Sequence, residues 1–129
     1  MILEVAILNV RVGLEREFEG AFAQASSIIA SMPGYISHQL QRCLETSNRY
    51  VLLVNWISLE AHTVGFRGSP EYQRWKQLLH HFYDPFPTVE HYALVAQNTR
   101  HIPMTEMIPR LAALAIPQSL LLRADRVIE

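Results

Sequence analysis

This chain has one cysteine, no tract of basic residues and no long uninterrupted apolar stretch. A lone Cys43 can form neither a disulfide framework nor a thiolate metal cluster. The net charge is −1, so nucleic acid is a poor candidate partner, because phosphate binding needs a concentrated positive surface. The most apolar region, 108–122, is broken by Pro109 and Pro117 and is too short to span a bilayer. We therefore predict no nucleic-acid partner and no membrane partner.

Targeting, cofactor and metal motifs are also missing. No basic residues open the chain and Glu4 follows at once, which is unlike a secretion signal, so we expect a cytoplasmic protein. The sequence has no glycine-rich phosphate loop, no Ser-His-Asp arrangement and no paired-carboxylate signature. His80 and His81 are adjacent, and adjacent helix residues diverge by about 100°, so together they cannot chelate one ion. We predict no metal and no cofactor.

The hydrophobic pattern predicts an α+β fold of the order β-α-β-β-α-β. Strands are indicated by β-branched residues or by alternation, and helices by apolar spacings of three and four residues. Pro33-Gly34 ends the first helix, while Ser58 and Ser69-Pro70 are typical helix starts. Strands are predicted over 2–12, 35–44, 50–57 and 88–96, and helices over 15–32, from Ser58 and over 70–82. This order is the ferredoxin-like protomer with an antiparallel sheet.

Both faces of the central strands are apolar. Leu3, Val5 and Ile7 lie on one face of the first strand, and 51–54 is apolar on both sides. Helices cover only one face in this topology, so the other face needs a second cover. A homodimer through the sheet is the favoured solution. The alternative is that the C-terminal extension crosses the open face.

The chain divides into a domain over 1–97 and a C-terminal extension over 98–129. Prolines cut the extension into short pieces, yet it is too apolar for a solvated tail. We predict a helix near 106–115 and an extended piece near 120–128, packed on the domain or on the dimer partner.

Several short motifs resemble the antibiotic biosynthesis monooxygenase (ABM) family of dimeric α+β barrels. They are the first strand ending at Gly13, Met32-Pro33-Gly34-Tyr35, Val54-Asn55-Trp56, Glu60-Ala61-His62, Phe66-Arg67-Gly68-Ser69-Pro70 and Val89-Glu90-His91-Tyr92. The resemblance covers about 1–97 and implies a pocket between each sheet and its own helices. It also implies one of several activities, since the family includes oxygenases of polycyclic phenols that need no metal or flavin, haem-degrading enzymes and proteins with no known reaction.

The haem-degrading branch of this family fits the sequence poorly. Members of that branch have an Asn on the first strand, a Trp in the first helical stretch and a His further on. An ungapped alignment on Gly13 and Ser69 puts Ala6, Phe66 and Lys76 at those places. A shifted alignment would bring His80 forward as an axial ligand, so haem degradation stays as the least favoured alternative.

The candidate site residues lie where the third strand ends and the interrupted helical segment begins. Three are catalytic candidates: His62 as a general base, Asn55 as a hydrogen-bond donor and Tyr72 as a phenol. Five are candidates for substrate binding: Trp56, Phe66, Arg67, Trp75 and Phe22. Each has a structural alternative, such as a core Trp, a half-exposed helix His, a packed Tyr or a solvated Arg.

Three functions remain open. The leading hypothesis is a cofactor-independent monooxygenase acting on a small phenolic or quinone-like aromatic molecule. Such chemistry needs a dry aromatic cavity, a base and a donor for the developing oxyanion. The second is a non-catalytic protein that binds or senses a small molecule on the same scaffold. The third is a haem-degrading monooxygenase.

Overall fold

The computed structural model describes residues 1–101, and its first compact unit is Met1–Leu94. A second unit starts at Val95. The elements are β1 (Ile2–Asn9), α1 (Glu15–Ala30), β2 (Tyr35–Arg42), β3 (Arg49–Trp56), a π-helical segment (Ala61–Phe66), α2 (Pro70–Leu79), a 3₁₀ turn (His80–Phe82) and β4 (Val89–Ala93). The predicted order and fold class are confirmed. The helix predicted near 106–115 and the extended piece near 120–128 lie outside the described residues.

The sheet has the order β2-β3-β1-β4, and every neighbouring pair is antiparallel. The first strand is therefore central, and the last strand forms one edge. Glu4 on β1 lies opposite Val54 on β3 and opposite His91 on β4. Residues directly opposite one another in an antiparallel sheet project to the same face. This register sets which side chains meet near Glu4.

Several predicted boundaries were too long. β1 ends at Asn9 because Val10 forms only an isolated bridge with Tyr83, and the chain then turns at Gly13, whose φ is +92°. The second long helix was predicted to run to 82, but α2 ends at Leu79 and a 3₁₀ turn continues it. β4 is also shorter than its predicted span of 88–96.

The core lies between the inner face of the sheet and the two long helices. β1 contributes Ala6, Leu8 and Val10, all of which are buried. Phe18 of α1 is fully buried, and its ring lies 4.9 Å from the ring of Tyr50 on β3. Alternation on the strands and spacing on the helices thus place apolar residues between the two layers.

The outer face of the sheet is apolar along its central strands. Leu3, Val5 and Ile7 of β1 lie opposite Asn55, Leu53 and Val51 of β3. Ile7 is 41% exposed, whereas its inward neighbours are buried. Within residues 1–101, no helix is both long enough and apolar enough to cross a bilayer.

Candidate active site

A cavity of about 370 Å³ lies against the inner face of the sheet. Its aromatic walls come from the π-helical segment, α2 and the connector that leads to β4, and they are Phe66, Tyr72, Trp75, Tyr83 and Phe86. The polar lining residues are Glu4, His62, Arg67 and His80. Ala6, Leu8 and Leu52 line the sheet side of the cavity. An apolar cavity with a few convergent polar groups is the usual form of a small-molecule site.

The π-helical segment brings three of these residues to the cavity. The carbonyl of His62 accepts a hydrogen bond from the Arg67 amide at 3.1 Å, a five-residue spacing wider than that of an α-helix. His62 and Phe66 are both buried, while Arg67 is exposed at the cavity mouth. Gly68 fits tightly after it, since a Cβ there would lie 2.6 Å from the Val64 carbonyl oxygen.

The start of α2 sets the position of the aromatic wall. Ser69 caps the helix, since its Oγ accepts from the Tyr72 amide at 3.2 Å, and Pro70 takes the first helical position. Tyr72 and Trp75 are then one turn apart on the same side. Their rings meet Phe66 edge-on, at centroid distances of 5.2 and 5.5 Å.

Glu4 is a buried carboxyl group at the inner end of the cavity, and its side chain is 7% exposed. Its Oε1 accepts a hydrogen bond from Trp56 Nε1 at 2.9 Å and lies 3.3 Å from His62 Nε2. The other ring nitrogen, His62 Nδ1, is hydrogen-bonded to His91 Nε2 at 2.8 Å. The two imidazoles and the carboxyl group thus form a continuous polar chain.

Burial determines the protonation states of Glu4 and His62. Desolvation raises the pKa of Glu4, against the opposing effects of the Trp56 hydrogen bond and the Arg67 charge. Desolvation, with help from Arg67 and His91, lowers the pKa of His62 to about 3. An ion pair would shift both pKa values the other way. The contact between Glu4 and His62 is therefore one of a carboxyl group with a neutral imidazole, not a salt bridge.

The phenols and the remaining histidines of the site are also shifted by burial. Desolvation raises the pKa of Tyr72 and of Tyr83, so both phenols stay protonated and can donate hydrogen bonds at neutral pH. Desolvation lowers the pKa of His80, helped by the Lys76 charge, and lowers the pKa of His91, helped by Arg67. The phenols and imidazoles of the site are thus neutral donors and acceptors beside the Arg67 guanidinium.

Five of the predicted site residues meet at this cavity: His62, Phe66, Arg67, Tyr72 and Trp75. Two others lie behind it. Trp56 is fully buried and its ring stacks on His62 at 5.4 Å, and Phe22 packs against Trp75 at 5.9 Å. They support the lining rather than forming it.

The structure does not bring Asn55 to the cavity. Its neighbour Trp56 is buried on the inner face, and side chains alternate along a strand, so Asn55 faces outward. There its Nδ2 donates to Ser37 Oγ at 3.0 Å. Any contact of Asn55 with a ligand would have to occur on the outer face of the sheet.

Glu4 and His91 were not predicted as site residues. A signal for Glu4 existed, since it is the charged member of the inward series that continues with Ala6, Leu8 and Val10. Its meeting with His91 depends on the register of two strands about 90 residues apart along the chain, and one sequence does not reveal that register.

The residues of the cavity can also be compared with a metal site and with the haem-degrading branch of the family. Among residues 1–101, no group of three or more His, Cys, Asp or Glu side chains has a metal-binding arrangement. Ala6 and Phe66 line the cavity at the two positions that align with the Asn and the Trp of the haem-degrading branch. His80 lines it as well, opposite the Tyr72 ring at 6.0 Å.

Comparison with known proteins defines the class of protein. Residues 1–78 match the family model for antibiotic biosynthesis monooxygenase, which is more than half of the chain. The chain therefore belongs to the antibiotic biosynthesis monooxygenase family, as its motifs indicated. A relative from Bacillus subtilis (strain 168), the uncharacterised protein YczJ, is 60% identical over 92 residues, which are 71% of this chain and 97% of the relative.

Solved structures show the same fold. A Bordetella bronchiseptica protein assigned to the antibiotic biosynthesis monooxygenases is 34% identical, with a TM-score of 0.71 over 74% of this chain and 97% of that one. SnoaB, a cofactor-independent oxygenase from Streptomyces nogalater, is 28% identical, with a TM-score of 0.55 over 76% of this chain and 94% of that one.

Proposed function

We propose that this protein is a cofactor-independent monooxygenase of a small phenolic or quinone-like aromatic molecule. The observation that carries the proposal is Glu4, a buried carboxyl group with a raised pKa inside an aromatic cavity. A carboxylate whose pKa is raised by burial is a stronger base than one in water. Membership of the family and similarity to SnoaB, a cofactor-independent oxygenase, support this choice.

The cavity suits a flat, partly anionic ring. Phe66, Tyr72 and Trp75 offer edges and faces against which an aromatic substrate can pack. Arg67 lines the mouth, and its charge reaches Glu4, His62 and Tyr72 strongly enough to shift their pKa values. A guanidinium there would stabilise a phenolate or enolate more than the neutral substrate, and this difference favours deprotonation.

The reaction requires dioxygen as co-substrate and a ring carbon that carries two hydrogens beside a phenol. Glu4 accepts one proton, and the carbanion passes an electron to dioxygen. The superoxide and the carbon radical then join in a C–O bond, and the peroxide is protonated. Loss of the second proton from carbon breaks the O–O bond and leaves C=O, and the released hydroxide becomes water. All electrons that reduce dioxygen come from the substrate carbon, so CH₂ and O₂ yield C=O and H₂O.

The roles of the other residues follow from their states. His62 is neutral and held between Glu4 and His91, so it positions the carboxylate rather than acting as the base itself. Tyr72 lines the cavity and is kept protonated by burial, and its proposed role is to donate to the oxygen of the bound ring. Asn55 lies on the outer face and has no part in this step.

A homodimer through the outer sheet face is part of the proposal. Leu3, Val5, Ile7, Val51 and Leu53 form an apolar surface across the two central strands. Gln39 and Gln41 of β2 lie beside it, opposite Leu53 and Val51, and give it a polar border. An apolar centre with a polar rim is the usual anatomy of a protein interface.

The alternative is a protein that binds or senses a small aromatic molecule without converting it. Glu4 already contacts Trp56 and His62, an arrangement that would also serve to recognise a hydroxyl group. Both functions require a ligand in the cavity, and only the oxygenase consumes dioxygen.

The experiment measures oxygen uptake by purified protein with a panel of anthrone-like phenols, each of which has a ring CH₂ group, with and without a metal chelator. Binding is followed separately by quenching of the intrinsic fluorescence of the two tryptophans, Trp56 and Trp75. We expect at least one compound to be oxidised in the presence of chelator. Glu4→Gln keeps the size of the side chain and an acceptor for Trp56, so we expect binding to persist while kcat falls by about 100-fold or more.

His81 is exposed and does not line the cavity, so His81→Gln is the matched control and should keep the wild-type rate. Binding without oxygen uptake by the wild type would establish the binding protein instead. Equal rates for Glu4→Gln and the wild type would remove Glu4 as the base.

A further inference from the structure

A chain of close contacts leads from the cavity toward the edge of the sheet. Glu4 and His91 are opposite one another on β1 and on the edge strand β4, so both project to the inner face. The buried ring of His62 contacts both, at 3.3 Å to Glu4 Oε1 and 2.8 Å to His91 Nε2. Glu4 is buried, whereas His91 is only half-buried.

We propose that His62 and His91 form a proton relay that connects the Glu4 carboxylate with solvent beyond β4. The proposal rests on the oxygenase function given above, in which Glu4 accepts the substrate proton. Within that reaction His62 and His91 are positioning and relay residues, since neither needs to touch the reacting carbon.

The stoichiometry of the reaction gives the relay its purpose. The substrate carbon loses two protons in succession, and one carboxylate holds only one. Glu4 must therefore pass on the first proton before it can accept the second. The peroxide needs a proton between these two losses, and the departing hydroxide needs one at the end. A relay to solvent resets the base and returns protons without opening the cavity to water.

The relay works without a charged imidazole. In the state that accepts the substrate proton, His62 carries its hydrogen on Nδ1 and donates it to His91 Nε2, so His62 Nε2 is free. Transfer from protonated Glu4 into Nε2 is then matched by loss of the Nδ1 hydrogen to His91 and of the His91 Nδ1 hydrogen to solvent, and ionised Glu4 accepts from His62 Nε2. Uptake of a proton from solvent reverses these transfers, and delivery of that proton from Glu4 to the peroxide or hydroxide restores the first state. Each transfer exchanges one neutral tautomer for the other. The 3.3 Å contact needs a small rotation of the ring or of the carboxyl group, as is common before a ligand binds.

The surroundings favour this neutral exchange over an imidazolium. Burial, Arg67 and His91 all lower the pKa of His62. Trp56, packed from β3, is a donor only and fixes the carboxyl group. Tyr72 on α2 stays protonated and adds no charge. A stepwise relay that forms an imidazolium on His62 is therefore unfavourable. A concerted relay between neutral tautomers avoids this cation.

The kinetic experiment breaks the outer link of the relay. In His91→Ala we expect kcat to fall by about tenfold or more with KM unchanged, because binding does not involve the relay. Added imidazole buffer should restore kcat in proportion to its concentration, and formate, a weaker base, should restore less. His81→Ala is the control on the exposed surface and should show neither effect. An unchanged kcat in His91→Ala, or a loss that no buffer restores, overturns the relay.

A second experiment does not depend on turnover. Nitrogen-15 shifts report the tautomers of His62 and His91, while the carbon-13 signal of the Glu4 carboxyl group reports its protonation. We expect both imidazoles to switch tautomer as Glu4 protonates. A purely structural network predicts that His62 keeps one tautomer throughout, and that result overturns the relay whether or not the protein is an oxygenase. Switching tautomers in a protein that consumes no dioxygen would instead refute the proposed function and leave the relay in place.

Discussion

At the scale of single residues, strand alternation decides what Glu4 can do. One position earlier or later on β1, the same carboxylate would face outward and be partly solvated. On the inner face it is buried between Trp56 and His62, and desolvation raises its pKa. Burial of the carboxylate thus lowers the stability of the folded state and makes Glu4 a stronger base in the cavity.

The same desolvation makes folding depend on pH through His62. Its pKa is about 3 in the folded state and 6.5 in the unfolded state, so between these values the unfolded chain binds more protons. Stability therefore falls as pH decreases from 6.5 toward 3. These two pKa values imply a loss of about 2 kcal/mol between pH 7 and pH 5 from this residue alone.

Urea unfolding at the two pH values measures this dependence. His62→Gln removes the titrating ring, and we expect its stability to change by about 2 kcal/mol less than that of the wild type. Exposed His81, changed to Gln, should leave the wild-type dependence intact. Identical pH dependence in the wild type and His62→Gln would show that His62 is protonated in the folded state or is not buried.

At the scale of elements, the sequence predicted what local signals determine. Alternation and apolar spacing indicated four strands and two long helices, and Ser58 and Ser69 both cap as expected, accepting from the Ala61 and Tyr72 amides. The aromatic wall followed from the same local spacing. The π-helical form of 61–66 and the contact of Glu4 with His91 did not, because both arise from tertiary packing and strand register.

The cap of α2 links an element boundary to the site. Ser69 Oγ accepts from the Tyr72 amide and donates to the Phe66 carbonyl at 2.6 Å, so it joins the π-helical segment to the helix. Ser69→Ala should cost about 1 kcal/mol in the free energy of unfolding. It should also weaken binding of an aromatic ligand, since Tyr72 and Trp75 follow within the next two turns.

Ser27→Ala is a suitable control for this cap. Ser27 is exposed on α1, and its Oγ reaches only the Gln24 carbonyl, so its loss should change stability by less than about 0.5 kcal/mol. Urea unfolding compares the two variants, and ligand titration by fluorescence tests the effect on binding. Equal stabilities for the two variants would mean that the Ser69 cap is not needed for α2.

At the scale of the whole molecule, the sheet has two different faces. The inner face carries the core and the cavity, and the outer face presents Leu3, Val5 and Leu53 on its central strands. The same alternation that turns Glu4 inward turns these residues outward. The helices α1 and α2 pack on the inner face and leave these residues uncovered, and a second copy offers the same surface for mutual burial.

The dimer is tested by Val5→Glu. Val5 is half-buried and lies between Leu53 on β3 and Glu90 on β4, so the new carboxylate would be desolvated in a dimer and would face a like charge. We expect sedimentation to show a dimer for the wild type and a monomer for the variant at micromolar concentrations. In the monomer the new side chain reaches water, so circular dichroism should show a retained fold.

Val5→Lys can pair with Glu90, and it should also be monomeric because the charge is still buried on association. Gln73→Glu, exposed on α2, should remain dimeric. A wild type that sediments as a monomer would contradict the dimer. A dimeric Val5→Glu would show that the interface lies elsewhere.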